Sequence, residues 1–189
     1  MLNEIYDRFI KKAEKAGYMR EELVLGCGRE NGGVVLIGEA PGKDEVIAQR
    51  PFVGKAGKIL DEFLEKTGIL REDLFITNTV KLRPYKVSVK GTKSNRPPNS
   101  AELKLCKDCL FEELKTLSPK LIVTLGNTPL KAVLEDKTAN IGTLHGALTE
   151  RNGFRIYPIY HPASLIYNRS LAGIYEEDLR RLKELLESM

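Results

Sequence analysis

Four short segments of the sequence carry side chains able to do acid–base and hydrogen-bonding chemistry, and each follows an apolar run. VVLIG at 34 to 38 leads into Glu39-Ala40-Pro41-Gly42, LFITN at 74 to 78 ends on Asn78, KLIVTLG at 120 to 126 precedes Asn127, and FRIYPIY at 154 to 160 leads into His161-Pro162-Ala163-Ser164. A carboxylate can activate water or face a developing cation, and an imidazole can donate towards a developing anion. A carboxamide presents one donor and one acceptor side by side. If the four runs are strands of one sheet, these groups converge on one edge, where open α/β sheets bind ligands. The Gly38-Glu39-Ala40-Pro41-Gly42 loop lacks the G-x-G-x-x-G spacing, and no G-x-x-x-x-G-K-[ST] loop is present. Dinucleotide and phosphate-loop chemistry therefore have no support.

The elements that must position these groups follow from periodicity. The four runs are continuously apolar rather than alternating, which is the pattern of parallel strands covered on both faces. Leu2, Ile5, Tyr6, Phe9 and Ala13 recur at helical spacing, predicting an amphipathic helix that ends near Gly17. Ile59, Leu60, Phe63 and Leu64 mark a second helix over 57 to 67 with Gly68 as its cap. Ser100 reads as the N-cap of a helix whose apolar face is Leu103, Cys106, Leu110, Leu114 and Leu117. A short helix follows Gly126, and Leu171, Ile174, Tyr175, Leu179, Leu182, Leu185 and Leu186 predict a closing one. The alternation implies right-handed crossovers and an α/β fold, a three-layer α/β/α arrangement around a mainly parallel four-stranded sheet. Asn152-Gly153 predicts a hairpin turn that adds an antiparallel strand before the last core strand. Residues 83 to 99 read as a long irregular loop, which in a domain of this size is functional or mobile.

Composition bounds the setting. The 189 residues suit one domain, residues 1–189, with 42% hydrophobic and 30% charged residues, typical of a soluble globular chain. No apolar run reaches membrane-spanning length, and charge throughout the amino-terminal helix argues against a signal peptide. We expect a cytoplasmic monomer with no membrane association. The net charge of +4 is compatible with a polyanionic partner without requiring one. Cys27, Cys106 and Cys109 cannot all pair with one another, so reduced thiols are expected.

The GEAPG loop, RPFVGKAG at 50 to 57, ITNTVKLRP at 76 to 84 and HPAS at 161 to 164 resemble, in order, the motifs of the family 4 uracil-DNA glycosylases. The resemblance runs from about residue 34 to 170 and implies a uracil-DNA glycosylase-like fold. It implies removal of uracil from DNA by hydrolysis of the N-glycosidic bond, a hydrolase of base excision repair whose partner is uracil-containing DNA. It makes Glu39 and His161 the catalytic residues, Glu39 positioning water and His161 donating towards uracil O2. Gly38, Ala40, Glu45, Phe52 and Asn78 would bind the base, with Phe52 as the stacking face. Asn78 would donate to O4 and accept from N3–H, provided that neighbours lock its amide. Gly54, Lys55, Ser164, Leu165 and Arg169 would meet DNA, joined by the loop cations Lys86, Lys90, Lys93 and Arg96. Leu165 or Ile166 could wedge into the base stack, or belong to the core of the next helix. By residue type alone, Phe52 reads as core, Asn78 as a turn former and His145 as a surface or supporting group.

The resemblance breaks at the cysteines. The family usually holds a [4Fe-4S] cluster on four of them, but here the KCRP position reads Lys81-Leu82-Arg83-Pro84 and the first helix has none. We expect no cluster, no metal and no other cofactor, with Cys106 a small buried hydrophobe. Two rivals remain open: a related glycosylase for hypoxanthine, xanthine or another deaminated base, and a non-catalytic module that binds damaged DNA.

Overall fold

A computed structural model describes residues 1–189. Helix α1 (Leu2–Lys15) is followed by strands β1 (Cys27–Gly28) and β2 (Val34–Gly38), then helices α2 (Lys43–Ala48) and α3 (Lys55–Thr67). Strand β3 (Leu74–Asn78) leads to β4 (Tyr85–Val87) and β5 (Lys93–Asn95), helix α4 (Ser100–Leu117), β6 (Leu121–Leu125), and helices α5 (Asn127–Leu134) and α6 (Ile141–Leu144). Strands β7 (Thr149–Arg151) and β8 (Phe154–Ile159) and helices α7 (Ser164–Tyr167) and α8 (Ala172–Glu187) complete the chain.

The main sheet has the order β1-β3-β2-β6-β8-β7. Its four central strands are the expected parallel set, but the sheet has six strands rather than four, because an antiparallel strand lines each edge. One edge strand, β7, is the strand predicted from Asn152-Gly153. The other, β1, is two residues long and carries no periodic signal.

Alternation within β2 shows how the layers are built. Val35 and Ile37 point into a core filled by α1, α4 and α5, while Leu36 points into one filled by α3 and α8. Both faces of the central strands are therefore dry, as their unbroken apolar character predicts. Ser100 is the first residue of α4 rather than its cap. Asn99 caps the helix, accepting from the Glu102 amide while the Glu102 carboxylate accepts from the Asn99 amide.

Residues 83 to 99 are not irregular. Two short strands pair as a hairpin, with Tyr85 opposite Asn95 and Val87 opposite Lys93. Arg96 fastens its base, donating from Nε to the Tyr85 carbonyl and from both terminal nitrogens to the Glu102 carboxylate.

Candidate active site

Register places the chemistry. Gly38 pairs with Asn78 at the carboxyl ends of β2 and β3, and Gly126 hydrogen-bonds to the Ile159 carbonyl where β6 and β8 end. The loop after β2 is stitched to β3, since Thr79 donates to the Gly38 carbonyl and Val80 to that of Glu39. The four predicted groups thus meet at one edge of the sheet, as the strand-end rule requires.

Two adjoining cavities open there. One, of about 620 Å³, is lined by Ala40, Glu45, Phe52, Asn78 and His161 among others. The second, of about 560 Å³, is lined by Glu39, Asn127, Tyr160, His161 and Ser164 among others. His161 and Ala40 border both, so the imidazole stands between a cavity with a flat aromatic face and a carboxamide and a cavity with a carboxylate.

Asn78 is 2% exposed, and its carboxamide makes no hydrogen bond within the protein. Buried amides are ordinarily paired, and this one instead borders the first cavity. Contrary to expectation, no hydrogen bond from a neighbour locks the amide. Its oxygen rests against Gly38, where a Cβ would lie 2.5 Å from both Asn78 Oδ1 and the Phe52 ring. Only glycine permits that approach, and Gly38 acts by leaving room.

Phe52 lies over this space, 5.9 Å from the His161 ring between centroids. It adopts φ +55°, which an aromatic residue rarely takes up, and such strain persists only where surroundings enforce it. Arg71 does so from one side by donating to the Pro51 and Phe52 carbonyls. Glu45 does so from the other: Oε1 accepts from the Val53 and Gly54 amides, and Oε2 from that of Gly42. Glu45 lines the first cavity while its carboxylate clamps the two loops that frame it.

His161 has a defined tautomer. The Ala163 amide donates to Nδ1 at 3.1 Å, so Nδ1 is the acceptor and Nε2 carries the proton. Burial pushes the imidazole from its ordinary value of 6.5 down to about 4, leaving it neutral near pH 7. Glu39 accepts from Thr128 Oγ1 at 2.5 Å, which draws its carboxylate to the first turn of α5. Thr128 and Arg71 were invisible as site residues in the sequence. The first follows Gly126-Asn127 at a strand end and could have been flagged there, whereas nothing local marks the second.

Other expected residues distribute unevenly. Gly54, Lys55 and Lys93 line the first cavity, and Ser164 and Arg96 the second. Arg96 turns its guanidinium to Glu102, while Lys86 and Lys90 stand exposed on the hairpin and line neither cavity. Arg169 is exposed beyond α7 and lines neither. Leu165 packs against the α3–α8 core, and it is Ile166 and Tyr167 that project beside the first cavity. His145 lines neither cavity but stands behind a wall of the second, its ring 5.0 Å from that of Tyr160 and its Nδ1 bonded to the buried Asp178.

The residues do not fit an iron–sulfur cluster. Leu82 is buried where the motif would supply a cysteine, and no group of three or more His, Cys, Asp or Glu side chains could hold a metal ion. Burial pushes the Cys106 thiol up to about 11 and that of Cys109 up to about 12, and Cys106 Sγ accepts from the Lys81 amide. Both behave as packed apolar side chains.

A mainly parallel α/β sheet with a carboxylate, a carboxamide, an imidazole and an aromatic face at its carboxyl edge defines a class of base-recognising enzymes. A model of the uracil DNA glycosylase superfamily matches residues 25–187, and the chain belongs to that family. Among its relatives, a type-4 uracil-DNA glycosylase from Saccharolobus solfataricus is 36% identical over 189 residues, covering 95% of this chain and 84% of that one. Another from Archaeoglobus fulgidus is 37% identical over 173 residues, covering 88% and 83%. A type-5 uracil-DNA glycosylase from Pyrobaculum aerophilum is 34% identical over 111 residues, covering 57% and 45%.

Proposed function

We propose that the chain excises uracil from DNA by hydrolysing the N-glycosidic bond, leaving an abasic site. The observation that carries this reading is the buried, unpaired Asn78 carboxamide facing a cavity beside Phe52 and His161. Such a cavity suits a flat base presenting adjacent acceptor and donor groups, and the type-4 relatives carry the matching activity in their names.

The residues divide the work as follows. The target nucleotide leaves the stack, because the bond to be broken is inaccessible within a duplex. Phe52 stacks on the base. Asn78 donates to O4 and accepts from N3–H, a pattern that cytosine inverts. His161 donates from Nε2 towards O2 as negative charge gathers on the departing base. A neutral imidazole does this without surrendering its proton, and a depressed pKa keeps it neutral. Glu39, in the adjoining cavity, faces the sugar side. There it orients water and offsets the positive charge that develops on the sugar as the base leaves. The hydrolysis consumes one water, whose hydroxyl bonds to the sugar carbon while its proton balances the departing base.

We take residues 1–189 to act as a single domain and a monomer, since every proposed group comes from one chain. No helix is long and apolar enough to cross a membrane, and the substrate implies work in the cytoplasm where DNA resides. Incubation with a single-uracil oligonucleotide, followed by alkaline cleavage of abasic sites, tests the reading. Uracil release without added metal or cofactor is the expected result. Binding without release would make the chain a damage-recognition module, and release of hypoxanthine or xanthine in preference to uracil would move its specificity to another deaminated base.

A further inference from the structure

The β4–β5 hairpin is over-built for a connection. A pair of three-residue strands is marginal alone, yet this one is fixed at both ends. At its base Arg96 holds Tyr85 and Glu102, and Arg83 Nε donates to Asn95 Oδ1. At its tip Ser88 donates to and accepts from the Thr92 and Gly91 backbone, and Gly91 adopts φ +76°.

This rigid arm presents apolar groups to solvent. Val89 is fully exposed and Val87 is 57% exposed. Single exposed valines are ordinary, but these two stand on a pinned turn beside the exposed Lys86 and Lys90. Residues 83 to 99 contain five cations and no carboxylate. Neither Lys86 nor Lys90 has an ion-pair partner, while Lys93 lies over the Tyr85 ring. Apolar tips flanked by cations are the chemistry of side chains that enter a DNA groove between two phosphate backbones.

Position selects the partner further. Lys93, Ser94 and Asn95 line the base-side cavity, so DNA whose base occupies that cavity must bring flanking nucleotides against the hairpin. Tyr85–Val87 is extended and Val89 lies in the turn beyond it, so the tip can stand at most roughly 13 Å from Tyr85. A projection of that length can span the minor-groove width of about 6 Å and so reach towards a second strand. A single strand offers it nothing.

Resting on the glycosylase reading, we propose that the hairpin is a duplex-sensing arm. Its valine tip enters the groove of double-stranded DNA beside the extruded nucleotide, while Lys86 and Lys90 contact phosphates on either side.

The test is single-turnover uracil release from matched single-stranded and duplex oligonucleotides. Val87→Ser with Val89→Ser should lower the duplex rate by about tenfold and the single-strand rate by less than about twofold. Lys86→Gln with Lys90→Gln should reduce the salt dependence of duplex binding by about two units of log–log slope. All four side chains are exposed, so unaltered thermal midpoints serve as the folding control. An unchanged duplex-to-single-strand ratio would overturn the proposal and turn attention to a protein partner for the tip. Equal losses on both substrates would overturn it too, making the hairpin merely a cavity wall. Wild-type protein that released no uracil from either substrate would instead fail the glycosylase reading itself.

Discussion

Behind the end of β3, Lys81 Nζ donates to Thr77 Oγ1, to the Asn78 carbonyl and to Glu113 Oε2, while Tyr6 donates to Glu113 Oε1. In front of the same strand end, the Asn78 carboxamide and His161 Nε2 have no partner in the protein. Burial of the residues does not separate the two, since Lys81 and Glu113 are fully buried and Asn78 nearly so. The difference lies in satisfaction. Polar groups that hold α1, β3 and α4 together are closed by the protein itself, whereas those facing the cavities are left for a ligand to close. The fully buried unpaired atoms, Thr124 Oγ1 and Tyr175 OH, line neither cavity, so it is an unpaired polar group opening on a cavity, as Asn78 does, that singles out the candidate site.

The largest effect should come from breaking the closed side. Lys81→Met leaves the Glu113 carboxylate buried without its counter-charge, which should destabilise the protein by about 3–5 kcal/mol. Adding Glu113→Leu removes the orphaned charge, and more than half of the loss should return. Urea unfolding of both variants checks this, and a double variant no better than the single would mean that the pair stabilises on its own account.

On the open side the balance reverses. Glu39→Gln and His161→Ala should each raise the barrier to base release by about 2–4 kcal/mol while leaving DNA binding close to wild type. Single-turnover release at saturating protein, set beside binding to an uncleavable substrate, separates the two. Loss of binding equal to loss of rate would make these residues structural, and the contrast between front and back would collapse.

A smaller and more specific effect belongs to Asn78. Asn78→Asp keeps size but replaces the donor with an acceptor, so the carboxylate repels uracil O4 and can accept from the cytosine amino group. An unpaired or opposed buried polar contact is worth about 1–3 kcal/mol, so uracil release should fall roughly 5- to 150-fold. Release from matched uracil and cytosine oligonucleotides measures it, and an unaltered uracil rate would assign base reading to another group.

How much of this was legible beforehand follows the same division. The ends of β2 and β3 were read to the residue because interior parallel strands must be apolar throughout, and strand-end geometry then gathered Glu39, Asn78 and His161. The hairpin was missed because its strands cover no core. Its strands are held instead by side-chain bonds from Arg83 to Asn95 and from Arg96 to the Tyr85 carbonyl, which leave no periodic trace. The Glu39–Thr128 and Phe52–Arg71 contacts join residues 89 and 19 positions apart and exist only in three dimensions. The projecting side chains after HPAS depend on one helical turn: Leu165 faces the core, Ile166 and Tyr167 face outward, and sequence could not set that phase.

The two histidines carry the comparison to its smallest effect. His145 is closed by Asp178, but His161 accepts only a backbone amide at Nδ1 and is held neutral by burial. Its folded value, about 4, lies below the unfolded 6.5, so between these limits the unfolded chain binds the extra proton. Lowering the pH through this window therefore favours unfolding: the contribution is intact above pH 6.5, declines towards pH 4 and is lost below it. Between pH 7 and 6 the loss should be no more than about 1 kcal/mol. Unfolding free energies of wild type and His161→Gln at pH 7.5, 6 and 5 test this, since the variant lacks the titrating group and should gain on wild type at each step down. The catalytic donor should meanwhile persist, so the acid limb of single-turnover release should show no loss attributable to His161 near pH 6.5. A constant stability difference across the series would mean that the imidazole is solvated and titrates normally, and burial would not be what holds His161 neutral.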